Sequence, residues 1–461
     1  MKFSVSGSNV TVVGAARSGV AAALLLAERG AHVTLSEMRL DLEREAADRL
    51  RRAGVGVELG GHRVETFTSA NLVVVSPGVP LDLLPISAAR DAGIPIIGEL
   101  ELAARFLSGR VVAITGTKGK STTTTLTGHM FSADGLKALV GGNIGTPLSA
   151  QVGDSTPDTF HIVEVSSFQL QATETFHPWI AVLLNLSSDH LDRHASMEDY
   201  AAAKARIFAN QTAADWAVVN ADDPQTLSLA KAARARQVQF SLDGRIDEGI
   251  VNRAGVICDV RDGHVTPLVP LSSIRLLGRH LVSDVMAATT VARIAGVSRH
   301  AMVRAVESFN GLEHALEPVA VVDGVRFVND SKATNIEAAQ RAIESFDRGV
   351  VVIMGGRYKG GDFTELREPL RSRSASVVAI GEATPLLERA LGGAAAVHKA
   401  DTLPAAVRRA FELAGSDGVV LLAPACASFD MFRDYAERGR AFKAEVMKLA
   451  AEAKPTDERR G

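Results

Sequence analysis

Val111-Val112-Ala113-Ile114-Thr115-Gly116-Thr117-Lys118-Gly119-Lys120-Ser121-Thr122 is the stretch on which the fold turns. Its first four residues are apolar and rich in β-branched side chains, and they read as a buried parallel strand. A glycine loop follows at once, and then a helical stretch. That order of strand, loop and helix suits an anion, because backbone N–H groups and the helix dipole point at the bound phosphate. Lys120 is placed to reach terminal phosphates, and the Ser121 hydroxyl to ligate Mg²⁺. The eight-residue form of such a loop would have its first glycine at position 114, where Ile114 stands, so this loop is a shortened variant. Gly116, Thr117, Lys118, Gly119, Lys120, Ser121 and Thr122 are therefore the candidate ATP-binding residues.

The same alternation of short apolar runs and helical patterns extends both ways from this loop. Toward the N-terminus, Val10–Val13, Ala31–Leu35 and Leu72–Val75 read as strands, with the alanine- and leucine-rich Gly19–Arg29 as a helix between the first two. Toward the C-terminus come His161–Val165, Ala181–Leu186 and Ala217–Asn220. A third set follows at Val325–Val328, Val350–Met354, Ser376–Ile380 and Gly418–Leu422. Repeated strand–helix–strand units imply doubly wound sheets. Residues 245–274 differ: short alternating pieces with turn residues such as Asp262-Gly263 predict a small antiparallel insert. The expected class is α/β with three domains, spanning residues 1–98, 99–311 and 312–461.

Composition narrows the function. The 461 residues are 46% hydrophobic and 22% charged with a formal net charge of −3, so no basic field exists to hold nucleic acid or an acidic membrane surface. Two cysteines, Cys258 and Cys426, are too few for a disulfide framework. No apolar run reaches the roughly 18 residues of a membrane span, and the polar start Met1–Gly7 does not read as a signal peptide. A cytoplasmic protein acting on small molecules, expected to be a monomer, fits these limits.

Further chemistry gathers where open α/β sheets bind ligands, at the carboxyl ends of strands. Glu164 ends an apolar strand. Asp189, His190 and Asp192 follow another, and Lys204 lies on the next helix. A carboxylate beside a phosphate loop suits Mg²⁺ bridging ATP oxygens and a substrate. Histidine is not the usual partner of that hard cation. Gly14-Ala15-Ala16-Arg17-Ser18-Gly19 resembles a dinucleotide turn with Ala16 in place of the central glycine. Glu37 stands where such folds put an acidic ribose partner.

Taken together these stretches resemble the Mur ligases over nearly the whole chain. The resemblance rests on Gly116–Thr122, Gly142–Gly145, Glu164–Leu170, Asp189–Arg193 and Lys204–Phe208. It rests also on Asn329–Asn335 and Pro424–Asp430, and these last two, with Ser76-Pro77-Gly78, favour the D-glutamate-adding member. A folate polyglutamate synthase would share the phosphate loop but not Pro424–Asp430. The resemblance implies a Rossmann-like N-terminal domain for a UDP-sugar, a central P-loop ATPase-type domain, and a Rossmann-like C-terminal domain for an amino acid. It implies ATP-dependent ligation of D-glutamate to UDP-N-acetylmuramoyl-L-alanine through an acyl phosphate, in peptidoglycan precursor synthesis.

The resemblance also implies residue roles. Lys120, His190 and Lys204 would be catalytic. Ser121 and Glu164 would hold one Mg²⁺, and His190 with a carbamylated Lys204 a second. Arg17, Ser18 and Glu37 would hold the UDP part, and Asn143, Ser166 and Gln169 the sugar-peptide. Lys332, Thr334, Lys359, Ser428 and Phe429 would form the D-glutamate pocket, with Asp330 on the nucleotide ribose. Three positions depart from the family pattern. Leu281 and Asp284 stand where asparagines are usual, and Asp284, on the ATP side, is expected to reverse the donor pattern facing adenine. Ala315 stands in place of an arginine, removing a phosphate-facing cation for which Lys118 is a candidate substitute.

Overall fold

A computed structural model describes residues 3–187, 193–244, 246–275 and 278–453. The fold is three-domain α/β, each domain built on its own sheet. The chain divides into two compact units, Met1–Ile274 with Val282–Ser308, and Arg275–Leu281 with Phe309–Gly461.

The first unit holds two sheets. One is wholly parallel and comprises β1 (Asn9–Val13), β2 (His32–Glu37), β3 (Gly56–Leu59), β4 (Leu72–Val75) and β5 (Ile96–Gly98), in the order β3-β2-β1-β4-β5. Strand order reverses between β1 and β4, so a crevice opens at their carboxyl ends. The glycine turn beginning at Gly14 leaves β1 there.

The other sheet comprises β6 (Arg110–Thr115), β7 (Ala138–Gly142), β8 (Phe160–Glu164), β9 (Ile180–Leu183), β10 (Trp216–Asn220), β11 (Arg236–Ser241), β12 (Gly249–Arg253), β13 (Val256–Arg261) and β14 (His264–Pro270). Its order is β14-β13-β12-β11-β10-β9-β6-β8-β7. Here the switch point lies at β6, between β9 and β8, and the phosphate loop leaves β6 at that place. The antiparallel segment expected near 245–274 is present as β12, β13 and β14. It is not a separate insert, however. Parallel pairing of β11 with β12 makes it the continuation of the central sheet.

The second unit holds β15 (Glu317–Val322), β16 (Val325–Asn329), β17 (Val350–Gly355), β18 (Ser376–Ile380), β19 (Ala396–Lys399) and β20 (Val419–Leu422), ordered β15-β16-β20-β17-β18-β19. Only the β15–β16 pair is antiparallel. Successive residues of β17 face opposite sides. Val350, Val352 and Met354 join one buried cluster, and Val351 and Ile353 another. Both faces are therefore covered, which explains the unbroken apolar run. Leu281 is buried in the first of these clusters. Its apolar side chain there is worth about 2 kcal/mol of burial. Among the described residues no helix is long and apolar enough to cross a membrane.

Candidate active site

The phosphate loop is held by groups distant in sequence. Thr117 N donates to Asn185 O at 3.0 Å and to Asn185 Oδ1 at 3.1 Å, and Lys118 N donates to the same Oδ1 at 2.9 Å. Asn185 Nδ2 returns a bond to Lys118 O at 3.1 Å. One amide side chain, two residues past β9, therefore brackets the loop. Thr117 Oγ1 lies 3.2 Å from Tyr200 Oη and 3.2 Å from Ser187 O. Gly119 caps the helix Lys120–Ala133 with φ of +82°, a backbone conformation that needs glycine.

The expected site residues converge on this loop. Lys120 Nζ donates to Gly116 O at 3.0 Å and Thr117 O at 2.9 Å. Ser121 Oγ donates to Glu164 Oε2 at 2.6 Å, and Asn143 Nδ2 donates to Glu164 Oε1 at 2.8 Å. Glu164 is buried at the end of β8, in register with Ile114 of β6. Lys204 is also buried. Its Nζ donates to Gly116 O at 2.8 Å and sits 4.6 Å from the centroid of the Tyr200 ring. His190, with Asp189 and Asp192, lies outside the described residues. Among the described residues no group of three or more His, Cys, Asp or Glu side chains forms a metal cluster. The hydroxyl of Ser121 and the carboxylate of Glu164 are nonetheless hard oxygen donors at hydrogen-bond distance, a donor set that fits Mg²⁺.

Asp284 sits against the loop itself. A Cβ placed on Gly119 would fall 2.0 Å from its Oδ1, while Oδ2 is buried with no hydrogen-bond partner. Burial pushes this carboxyl up to about 8, with the Lys120 charge opposing. At pH 7 the group is mainly neutral and offers an O–H as well as an acceptor.

A stability prediction arises from this group. Between its ordinary 3.8 and about 8 the folded chain holds a proton that the unfolded chain releases. Stability then falls as pH rises through that window, by about 6 kcal/mol at most. Asp284→Asn removes the penalty. Its melting temperature should exceed that of the parent by about 5 °C or more at pH 8.5 and by under about 2 °C at pH 5. A difference that does not change with pH would exclude this account.

A groove of 1040 Å³ follows the first switch point, lined by Gly14, Arg17, Glu37, Arg39, Ser76 and Gly145 among others. It shares Arg17, Ser76, Gly78 and Gly145 with a cavity of 190 Å³ that Ser18, Asn143 and Gln169 also line. Five of the six residues expected to hold the UDP-sugar thus line one continuous path. Glu37 uses its carboxylate to organise the turn: Oε2 accepts from Ala15 N at 2.6 Å and Oε1 from Arg39 N at 3.0 Å. Burial opposes ionisation there, but these amides and the Arg39 guanidinium hold the acid below its ordinary value. Arg17 Nη1 donates to Gly145 O at 3.1 Å. Ser166, the sixth residue, caps the helix Ser167–Gln171 in a reciprocal box with Gln169, which leaves Gln169 Nε2 buried without a partner.

In the second unit, Lys332 and Thr334 follow β16, Ser428 and Phe429 follow β20, and Lys359 follows β17. These are three adjacent parallel strands. Paired backbone bonds between Arg357 and Ala427, at 2.9 and 3.0 Å, tie the last two loops together. Ser428 is buried and Phe429 is 61% exposed. Burial raises Asp330 to about 7 against the Leu316 N–H and the Lys332 charge. Ala315 has its N–H on Leu312 O at 3.1 Å in a tight turn. Arg438 was not among the residues expected from the sequence. Its guanidinium is buried and donates to Ser331 O at 3.0 Å and to Cys426 O at 3.2 Å, tying together the loops after β16 and β20. Burial lowers it to about 10.

A phosphate loop linked through Glu164, Asn143 and Gly145 to Arg17 of a glycine turn that lines a groove defines a class of phosphate-loop α/β proteins. Within that class the chain belongs to the Mur ligase family. Residues 8–98 match the Mur ligase MurD-like N-terminal domain, 114–292 the Mur ligase middle domain, and 316–426 the Mur ligase glutamate ligase domain. The chain is 47% identical over 449 residues to the UDP-N-acetylmuramoylalanine–D-glutamate ligase of Acidobacterium capsulatum, covering 96% of this chain and 97% of that one. It is 44% identical over 451 residues to the enzyme of the same name from Koribacter versatilis, covering 98% and 99%. The fold resembles that of the UDP-N-acetylmuramate-alanine ligase of Thermotoga maritima, with a TM-score of 0.57 at 18% identity over 96% of this chain and 99% of that one.

Proposed function

We propose that this chain is an ATP-dependent ligase that joins D-glutamate to UDP-N-acetylmuramoyl-L-alanine, in the synthesis of peptidoglycan precursors. The observation that carries the reading is the position of Asn143. It lines the cavity that continues from the glycine turn, and it donates to the same Glu164 carboxylate that accepts from Ser121 of the phosphate loop. A sugar-peptide in the groove therefore has a path to a triphosphate on the loop.

In this reading residues 1–98 bind the UDP-sugar, 99–311 bind ATP, and 312–461 bind the amino acid. The L-alanyl carboxylate oxygen attacks the terminal phosphorus of ATP, an O–P bond forms, and ADP leaves. The amine of D-glutamate then attacks the acyl carbon. It loses a proton, the tetrahedral adduct collapses and phosphate departs. Activation is needed because a carboxylate is a poor acyl donor. Lys120 and the loop amides hold the phosphates and offset charge that develops on them. Ser121 and Glu164 would hold one Mg²⁺, and His190 with carbamylated Lys204 a second. Bound there, the divalent ion supplies charge neutralisation between a polyphosphate and a carboxylate. Arg17, Ser18, Glu37, Ser166 and Gln169 position the sugar nucleotide. Lys332, Thr334, Lys359, Ser428 and Phe429 answer the two carboxylates and the body of D-glutamate, and Asp330 the ATP ribose. The enzyme acts as a monomer in the cytoplasm.

The test is phosphate release with each substrate withheld in turn. Release is expected only when ATP, the UDP-sugar and D-glutamate are all present, and an amino-acid panel should single out D-glutamate. Equal release without the amino acid, or a preference for another one, would overturn the assignment.

A further inference from the structure

His194 belongs to none of the groups above, yet its ring is placed at their junction. It is 2% exposed. Nδ1 lies 3.0 Å from Asp199 Oδ2, and Nε2 lies 3.0 Å from Ser167 Oγ. The ring stacks on Phe168 with centroids 5.2 Å apart and planes at 11°, and meets the Tyr200 ring edge-on at 5.1 Å and 66°. A carboxylate can only accept, so Nδ1 donates to Asp199, and Gln171 Nε2 lies 3.4 Å from the same nitrogen.

Serine, histidine and aspartate in that order match the spacing of a nucleophilic triad. That role does not fit here. Ser167 is 2% exposed and begins a helix, so its hydroxyl is not presented to a substrate.

The contacts point elsewhere. Ser167 and Phe168 begin the short helix that carries Gln169 and is capped by Ser166. Phe168, Gln169 and Arg193 line a cavity of 430 Å³, and the Arg193 guanidinium lies 4.9 Å from the centroid of the Phe168 ring. Asp199 and Tyr200 lie on the helix Met197–Ala205 that carries Lys204. Tyr200 in turn touches both the Lys204 amine and Thr117 of the phosphate loop. One imidazole thus bonds to two helices that, in the ligase reading, present different substrates' ligands.

We propose that His194 is a positioning residue that holds the sugar-peptide helix and the Lys204 helix in one register, so that the acyl group meets the phosphate loop in reactive alignment. The proposal rests on the ligase reading above. Alignment errors of about 1 Å cost about 10²-fold in rate. The backbone of the phosphate loop is bracketed by Asn185, and the imidazole reaches the loop only through Tyr200.

His194→Phe keeps the ring stack and removes both hydrogen bonds. It is expected to lower kcat about 100-fold and raise KM for the UDP-sugar, with KM for ATP within about twofold of the parent. Asp199→Asn, at a half-exposed position, guards against a folding failure of the first variant. It is expected to weaken the bond to Nδ1 and cost about tenfold in kcat, and the double variant should be no worse than His194→Phe alone. Calorimetric binding of ADP and of the UDP-sugar, measured without turnover, separates the two levels of inference. Loss of sugar affinity with ADP affinity kept supports the clamp even if D-glutamate proves to be the wrong amino acid. Unchanged kcat and sugar affinity, additive losses in the double variant, or equal loss of both affinities together with a lowered melting temperature would overturn it.

Discussion

Lys120→Ala is expected to lower kcat/KM for ATP by about 10³-fold or more while leaving the melting temperature within a few degrees of the parent. Lys120 is the first residue of the loop's helix, and its amine is already oriented by two carbonyls of the loop, Gly116 O and Thr117 O. A preorganised donor aimed at developing charge is worth about 10²–10³ in rate where water is excluded, and a full cation is worth more than a neutral donor. Alanine removes that cation from the place where negative charge is transferred. Little packing is lost, because the side chain is only half buried. Lys120→Arg should fare little better, since a planar guanidinium does not fit between two carbonyls set for a compact ammonium. Steady-state kinetics with varied ATP, beside a thermal melt, decide the matter. Losses under about tenfold in both variants would mean that the phosphates are carried by other groups, and Lys118 would be the first to examine.

Much of this candidate site is legible in the sequence, for a physical reason that also marks the limit. The loop at Gly116–Thr122 is contiguous, and its chemistry is local, so spacing alone places Lys120 and Ser121. Glu164 could be placed because it ends an apolar run, and strand ends collect ligands. Asn185 could not. Its role depends on β9 lying beside β6, a fact of sheet order to which no local pattern testifies. Arg438 was hidden for a similar reason, since a buried arginine bonded to carbonyls looks in sequence like any surface arginine of an amphipathic helix. Strands β3, β5 and β19 escaped because they are only three or four residues long, and β7, β11 and β15 because they are partly exposed and their apolar signal covers one face or less. Asp284 shows a subtler limit. Its identity was plain, but its protonation is set by burial against Gly119, and that decides whether it offers a donor.

Lys204→Arg is expected to lose about 10³-fold or more in kcat, although it keeps the positive charge. The reason lies in one atom. Gly116 O accepts from Lys120 Nζ at 3.0 Å and from Lys204 Nζ at 2.8 Å, so two amines share a single carbonyl. Two ammonium ions so close repel, and Lys204 is 1% exposed, so water does little to screen them. Carbamylation would replace the second cation with an anion. The repulsion would become attraction, and the amine would become a hard oxygen donor beside the phosphate loop. Arginine cannot form a stable carbamate, and its larger head would compete with Lys120 for Gly116 O. If the free ammonium were the working form, Lys204→Arg would retain activity to within about tenfold. Native mass spectrometry should find the parent heavier by one CO₂ and the variant not. Removing dissolved CO₂ should depress parental turnover, and bicarbonate should restore it. An unmodified parent whose rate ignores bicarbonate, together with a Lys204→Arg variant of near-parental kcat, would show that Lys204 works as a cation.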